Sequence, residues 1–194
     1  AVSLDPIGAE SIEIVRGPAT LLYGANAIGG IVNVIDNRIP DQSIDVPATG
    51  ILDGRYSSVD AGESTRLMVE GGKSGFNYHI EANRRNLQDT RIPGFARSDK
   101  LRALAPLAAG ETEEMDTLAN SFLDADGFSL GASRTWDNGF FGIAYSGYDS
   151  TYGTVAEKGV SIDMTNRRWD FRGSLDAPLA GIKSLNFRLG LGNY

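Results

Sequence analysis

The chain has 194 residues, with 25 acidic against 18 basic side chains, a net charge of -7 and no cysteine. The acidity argues against a nucleic-acid partner, which would want a basic face, and the lack of cysteine excludes disulfides and thiolate metal sites. Glycine, at 24 residues, signals many turns and close backbone approaches. No apolar run reaches the roughly 20 residues of a transmembrane helix, which leaves open a β-barrel crossing the bilayer on alternating strands.

Ala1-Val2-Ser3-Leu4 has neither the basic start nor the apolar core of a signal peptide. Ser11-Ile12-Glu13-Ile14-Val15-Arg16 alternates polar and apolar and predicts a short strand, which Gly17-Pro18 breaks. Ala19 to Tyr23 suits a helical turn that Gly24 stops. Gly29-Gly30 then turns into a second strand, Ile31-Val32-Asn33-Val34-Ile35, and Asp36 to Pro47 reads as a connector. Residues 1–46 therefore read as one small α+β unit and 47–194 as another region.

From about residue 48 the rhythm becomes strands of roughly ten residues, the length that spans a bilayer at a tilt. They fall near 48–59, 63–73, 76–86, 126–138, 139–150, 167–179 and 185–194. In Phe76-Asn77-Tyr78-His79-Ile80-Glu81-Ala82-Asn83 the even positions are apolar and the odd ones polar. In the stretch from Arg168 to Asp176 the polar face carries Arg168, Asp170, Arg172 and Asp176 in a row, which suits a wet lumen better than a sandwich core. Leu185, Phe187, Leu189 and Leu191 alternate with Asn186, Arg188, Gly190 and Gly192, a strand that stops with no turn or tail. Short connections at Ser74-Gly75, Asp137-Asn138-Gly139 and Ala180 to Lys183 alternate with long ones at 87–125 and 151–166, and only the first outward connection, near Asp60 to Gly62, is also short. Short periplasmic turns and long outer loops are the habit of outer-membrane barrels. The 87–125 segment is long enough to be functional or mobile, with a short helix expected between Glu111 and Leu123.

The run from Glu13 to Ile35 resembles the end of the plug domain of TonB-dependent outer-membrane receptors. It carries a strand, Arg16-Gly17-Pro18, a small-residue stretch, Tyr23-Gly24, then Gly29-Gly30 leading into Val32-Asn33-Val34-Ile35. The resemblance implies a plug followed by antiparallel transmembrane strands, and a piece of a barrel of about 22 strands, because seven strands cannot close a plugged lumen. It further implies a bacterial outer-membrane location and a monomeric full-length barrel. The outer-membrane lipid, a small nutrient ligand and the TonB energy-transducing complex would be its partners, the last through a segment preceding Ala1. No cofactor and no enzymatic role are implied. Cut from its barrel, such a piece would leave strand edges open and form no stable soluble monomer. The competing expectation is an outer-membrane binding or adhesion barrel that transports nothing. A second resemblance, of Ile35 to Pro40, Arg91 to Phe95 and Gly159 to Met164, is to the branch containing zinc-uptake receptors. Those receptors tend to present histidine-rich outer loops, and this chain has one histidine.

The plug motif residues Arg16, Gly17, Pro18, Tyr23, Gly24, Gly29, Gly30 and Asn33 read as folding and docking devices. Arg16 is expected to pair with lumen carboxylates and Asn33 to bond to the barrel wall. His79, on the lumen face beside Asn77 and Glu81, is a candidate ligand or cation contact together with Glu81, although one imidazole alone makes a poor metal site. Glu111, Glu113, Glu114 and Asp116 form an acidic cluster in the long loop, a candidate cation attractor or a solvated loop surface. Trp136, Tyr145, Tyr148, Tyr152 and Trp169 are candidates for interfacial aromatic belts. No metal site and no catalytic pair can be assembled from the sequence.

Overall fold

The structure is a computed structural model that describes residues 8–17, 29–107, 112–157 and 159–193. The helical turn expected at 19–23 lies outside the described residues, as do Pro18, Tyr23, Gly24 and Glu111.

Strand β1 (Ser11–Arg16) pairs antiparallel with β2 (Gly30–Ile35), Ile14 opposite Val32 and Arg16 opposite Gly30. Gly30 has a φ of 141°, and a Cβ there would lie 2.5 Å from the Val15 carbonyl oxygen. Only glycine re-enters the ladder at that point. Asn33 donates to the Glu13 carboxylate at 3.1 Å. Register puts Glu13 directly opposite, so this bond crosses the hairpin.

The rest runs β3 (Thr49–Ser57), β4 (Gly62–Lys73), β5 (Phe76–Leu87), β6 (Thr90–Phe95), α1 (Asp99–Leu104), β7 (Met115–Leu118), β8 (Leu123–Trp136), β9 (Gly139–Gly153), β10 (Ser161–Leu179) and β11 (Ile182–Asn193). Seven of these strands form one antiparallel sheet in the order β11-β10-β9-β8-β5-β4-β3. The sheet is a meander with one excursion: β5 pairs directly with β8, and β6 and β7 pair with each other outside it. Tight turns lie at one end. Ser74 and Gly75 both have positive φ, 54° and 80°. That is the mirror-image two-residue turn whose twist matches paired strands.

Two expectations are corrected at the other end. β10 begins at Ser161 rather than near 167, so the second outer connection shrinks to 154–160. The Ser161-Ile162-Asp163-Met164 stretch alternates and finds a partner in the upper part of β9, with Ser161 opposite Gly153. No helix forms between Glu111 and Leu123 among the described residues; β7 lies there, with Leu118 opposite Thr90. The helix is upstream, where the Ser98 hydroxyl caps the Leu101 N–H at 3.3 Å and Asp99 occupies the first turn.

The sheet inverts the usual sorting of side chains. Among the described residues the buried polar set is Asn77, His79, Ser129, Ser133, Thr135, Ser150 and Asn166, while Leu52, Ile80, Leu130, Trp169 and Leu189 stand exposed. Pairing aligns Val69, Ile80, Leu130, Tyr145, Trp169 and Leu191 in one row across β4, β5, β8, β9, β10 and β11. Tyr145 and Trp169 pack with ring centroids 4.6 Å apart. Such a contiguous apolar surface suits lipid as its solvent.

Candidate functional site on the inner wall

The polar face of the sheet is covered by the chain's own connector. One residue along from the apolar row, pairing aligns Glu70, His79, Gly131, Ala144 and Asp170. The middle of this row is small, and there the connector lies directly on the wall. A Cβ on Gly131 would fall 1.7 Å from the Arg38 carbonyl oxygen, and one on Gly142 would fall 2.3 Å from the Ile39 side chain. Gly131 therefore leaves room for close backbone approach, and Gly142 for the Ile39 side chain. Ile39 and Pro40 are buried in the contact. Full burial of an isoleucine side chain is worth about 1.5–3 kcal/mol.

Polar ties fix the connector along its length. Arg38 donates through Nη1 to Ser146 Oγ at 2.8 Å and lies 3.5 Å from Asp170 Oδ2, while its Nε holds Asp36. Asp170 is also held by Arg168 at 2.8 Å. Asn37 Nδ2 donates to Glu70 Oε2 at 3.3 Å. Arg172 of β10 pairs with Asp41. The Ile44 N–H donates to Asn77 Oδ1 at 2.7 Å, the Gly72 N–H to the Val46 carbonyl at 2.8 Å, and the Tyr78 hydroxyl to the Pro47 carbonyl at 2.8 Å. Residues 36–47 are thus strapped across β4, β5, β8, β9 and β10.

His79 and Glu81 face this inner surface. The ring is 3% exposed. Glu70 Oε2 lies 3.8 Å from Nδ1, and Glu81 Oε2 lies 3.8 Å from Nε2. Glu81 accepts from Arg66 at 2.7 Å, and Arg66 also reaches Asp53 at 3.4 Å. The two carboxylates flank opposite ring nitrogens, so the three side chains do not converge on one ion. Among the described residues no group of three or more His, Asp or Glu side chains is arranged to hold a metal. Arg16 lies exposed at the end of β1, and Gly17, with a φ of 97°, follows it. Tyr148 lines the inner cavity beside Ser146, away from the apolar row that holds Tyr145.

The outer loops form a second ordered region. Two members of the acidic cluster are engaged: Glu113 lies 3.6 Å from Arg97 and 3.7 Å from Arg102, and Glu114 accepts from the Ala119 N–H at 3.3 Å. Asp116 sits at a positive φ of 64° in β7. Asn120 Nδ2 reaches the carbonyls of Thr154, Glu157 and Val160 at 2.9, 2.9 and 2.7 Å, which joins the two outer connections. The first is also tied to the β3–β4 turn, through the Arg91 N–H to the Val59 carbonyl at 2.6 Å.

Comparison with known proteins agrees with this construction. The TonB-dependent Receptor Plug Domain family matches residues 1–31. The vitamin B12 transporter of Photobacterium profundum is 46% identical over 50 residues, 25% of this chain and 8% of that protein. The hemin receptor of Yersinia enterocolitica is 26% identical over 142 residues, 70% of this chain and 15% of that protein. In structure, the copper transporter OprC superposes with a TM-score of 0.70 at 13% identity, over 98% of this chain and 26% of that one. The chain therefore spans a small part of the length of these relatives. Its sheet is an arc of a larger outer-membrane β-barrel of the kind that carries a plug. The plug-domain match, the receptor relatives and the shared barrel fold together support a TonB-dependent receptor of the outer membrane.

The sequence pointed to His79 and Glu81 but missed the residues that hold the connector: Arg38, Asn37, Ile39, Glu70, Ser146 and Asp170. Glycines at inner-face positions, Gly131 and Gly142, were the available signal. They show that something approaches closely, not which segment does.

Proposed function

We propose that this chain carries the end of the plug, residues 1–46, and the first barrel strands, residues 47–194, of a receptor that imports a scarce metal-bearing nutrient. The observation that carries the reading is the strap. The segment after the plug motif runs out along the inner wall and passes into β3 while the opposite face of the same sheet is apolar. A barrel wall with the plug's exit tied to it gives an energised pull something firm to act against. The TonB complex would supply that pull through a segment outside this chain, the full-length barrel would act as a monomer, and lipid would surround the apolar row.

The relatives are named for vitamin B12, hemin and copper, which favours a metal chelate or metal-bearing small molecule as cargo. Within that class a haem or ferric chelate is the leading reading, and zinc follows from the second sequence resemblance alone. Arg16 and the glycines Gly17, Gly29 and Gly30 would serve docking of the plug, and the outer connections would meet the cargo first.

The test is uptake of labelled haemin, a ferric siderophore and zinc by cells with and without the full gene, repeated in cells lacking TonB. Loss of one cargo on both deletions is the expected result. Cargo binding that persists without any TonB-dependent uptake would replace this reading with that of a surface-binding barrel.

A further inference from the structure

At the loop end of the sheet, away from the connector, the chain closes around a cavity of about 440 Å³. Its walls come from Asp60 of the β3–β4 turn, Gln88 and Asp89 between β5 and β6, Arg91 of β6, Thr117 of β7 and Phe122 just ahead of β8. Hydrogen bonds fix these stretches to one another. The Gln88 N–H donates to the Asp60 carbonyl at 2.8 Å and the Arg91 N–H to the Val59 carbonyl at 2.6 Å. The Thr90 N–H donates to Ser121 Oγ at 2.8 Å, and the Gly153 N–H to the Phe122 carbonyl at 3.1 Å. The walls are thus set before a ligand arrives, which lowers the ordering cost of binding.

The side chains stand in two tiers. Asp60, Asp89 and Phe122 are half-buried, and Gln88, Arg91 and Thr117 are exposed. Each carboxylate uses one oxygen to fix the frame: Asp60 Oδ1 accepts from the Gly62 N–H at 3.1 Å, and Asp89 Oδ1 from the Ser121 N–H at 2.9 Å. Among the described residues their Oδ2 atoms have no hydrogen-bond partner, and the Arg91 guanidinium has no acidic one. The cavity therefore offers open acceptors, a guanidinium, an amide, a hydroxyl and one aromatic side chain.

That inventory selects a ligand. Two carboxylates against one guanidinium disfavour an anion. Among the described residues no group of three His, Asp or Glu side chains gathers to hold a metal. One aromatic side chain offers little to an apolar molecule. A sugar ring uses every group: its hydroxyls donate to carboxylates and accept from guanidinium and amide, and its C–H face packs on an aromatic ring. We propose that this rim cavity is a saccharide-binding site, with Asp60 and Asp89 accepting from sugar hydroxyls and Arg91 donating to them. The volume suits a small ligand of this kind. The same chemistry has two sources at an outer-membrane rim, the sugar headgroup of a glycolipid and a free saccharide.

The inference goes beyond the metal-bearing cargo of the receptor reading, and its test uses no such cargo. The purified full receptor, in a zwitterionic detergent that carries no sugar, is titrated with maltose and with core oligosaccharide released from lipopolysaccharide of the source cells. Saturation-transfer NMR reads binding. At least one probe should bind saturably, and its affinity should fall about tenfold or more in Asp89→Asn and in Arg91→Ala, the loss expected for a hydrogen bond to a charged group. Both variants keep the frame, since asparagine retains an oxygen for the Ser121 N–H and the Arg91 tie runs through its backbone. Tighter binding of the core oligosaccharide assigns the site to a headgroup, and tighter binding of maltose assigns it to a free saccharide. No saturable binding of either probe, or affinity unchanged in either variant, overturns the proposal and leaves TonB-dependent uptake to stand or fall on its own test.

Discussion

Along one row of the sheet stand Glu70, His79, Gly131, Ala144 and Asp170, and along the adjacent row stand Val69, Ile80, Leu130, Tyr145 and Trp169. The same strands carry both, one residue apart. The inner row is small or charged because a second piece of backbone must lie on it and be held. The outer row is large and apolar, and none of the described residues covers it. Burial alone would misjudge both faces: the inner serines and Asn77 are buried, and the outer leucines are exposed. What sorts the residues is which solvent each face meets, lipid on one side and a polypeptide strap on the other.

The comparison can be broken most severely from the lipid side. Leu130→Arg in the full receptor should cost about 2–4 kcal/mol, the range for a cation placed on a lipid-facing strand near the midplane. Urea unfolding in lipid vesicles checks it, and a cost below about 1 kcal/mol would mean that Leu130 lies near the interface instead. From the inner side, Gly131→Val should destabilise by about 1–3 kcal/mol through overpacking. Because the nearest atom is the Arg38 backbone oxygen, the damage should appear as new proteolytic cleavage within residues 36–47, with the strands still protected. Arg38→Ala removes the ties to Ser146 and Asp170 and should cost about 1–2 kcal/mol. Pairing it with Ser146→Ala should be less than additive, because the two share one contact. The smallest effect is expected where neither face is involved. Asn120→Ala should cost about 1 kcal/mol and raise hydrogen exchange in 154–160 while leaving the connector unchanged.

Much of the sheet was legible because alternation is a local signal. Asn77, His79 and Glu81 announce one face within five residues, and Ser74-Gly75 announces its own turn. The upper end of β10 was missed because Gly159 and the polar residues around it read as loop, and pairing with β9 overrode that local preference. The helix was placed wrongly for a related reason: acidic residues at 111–116 mimic a helix start, whereas Ser98-Asp99 provides the actual cap. The connector was legible as a segment and illegible as a strap. Its partners lie far away in sequence, Ser146 from Arg38 and Arg172 from Asp41, and no local pattern encodes such a meeting. The family motif, by contrast, needed no structure, although Pro18, Tyr23 and Gly24 lie outside the described residues.

The length of β10 has a consequence for how the receptor meets its surroundings. Its 19 residues extend roughly 60 Å at about 3.3 Å per residue, or about 40 Å along the membrane normal at a tilt near 45°. The apolar band of such barrels is only about 25 Å tall. The upper part of the wall therefore rises as a collar above the headgroups, and the loops braced by Asn120 crown it. A molecule arriving at that rim would meet polypeptide before it meets lipid.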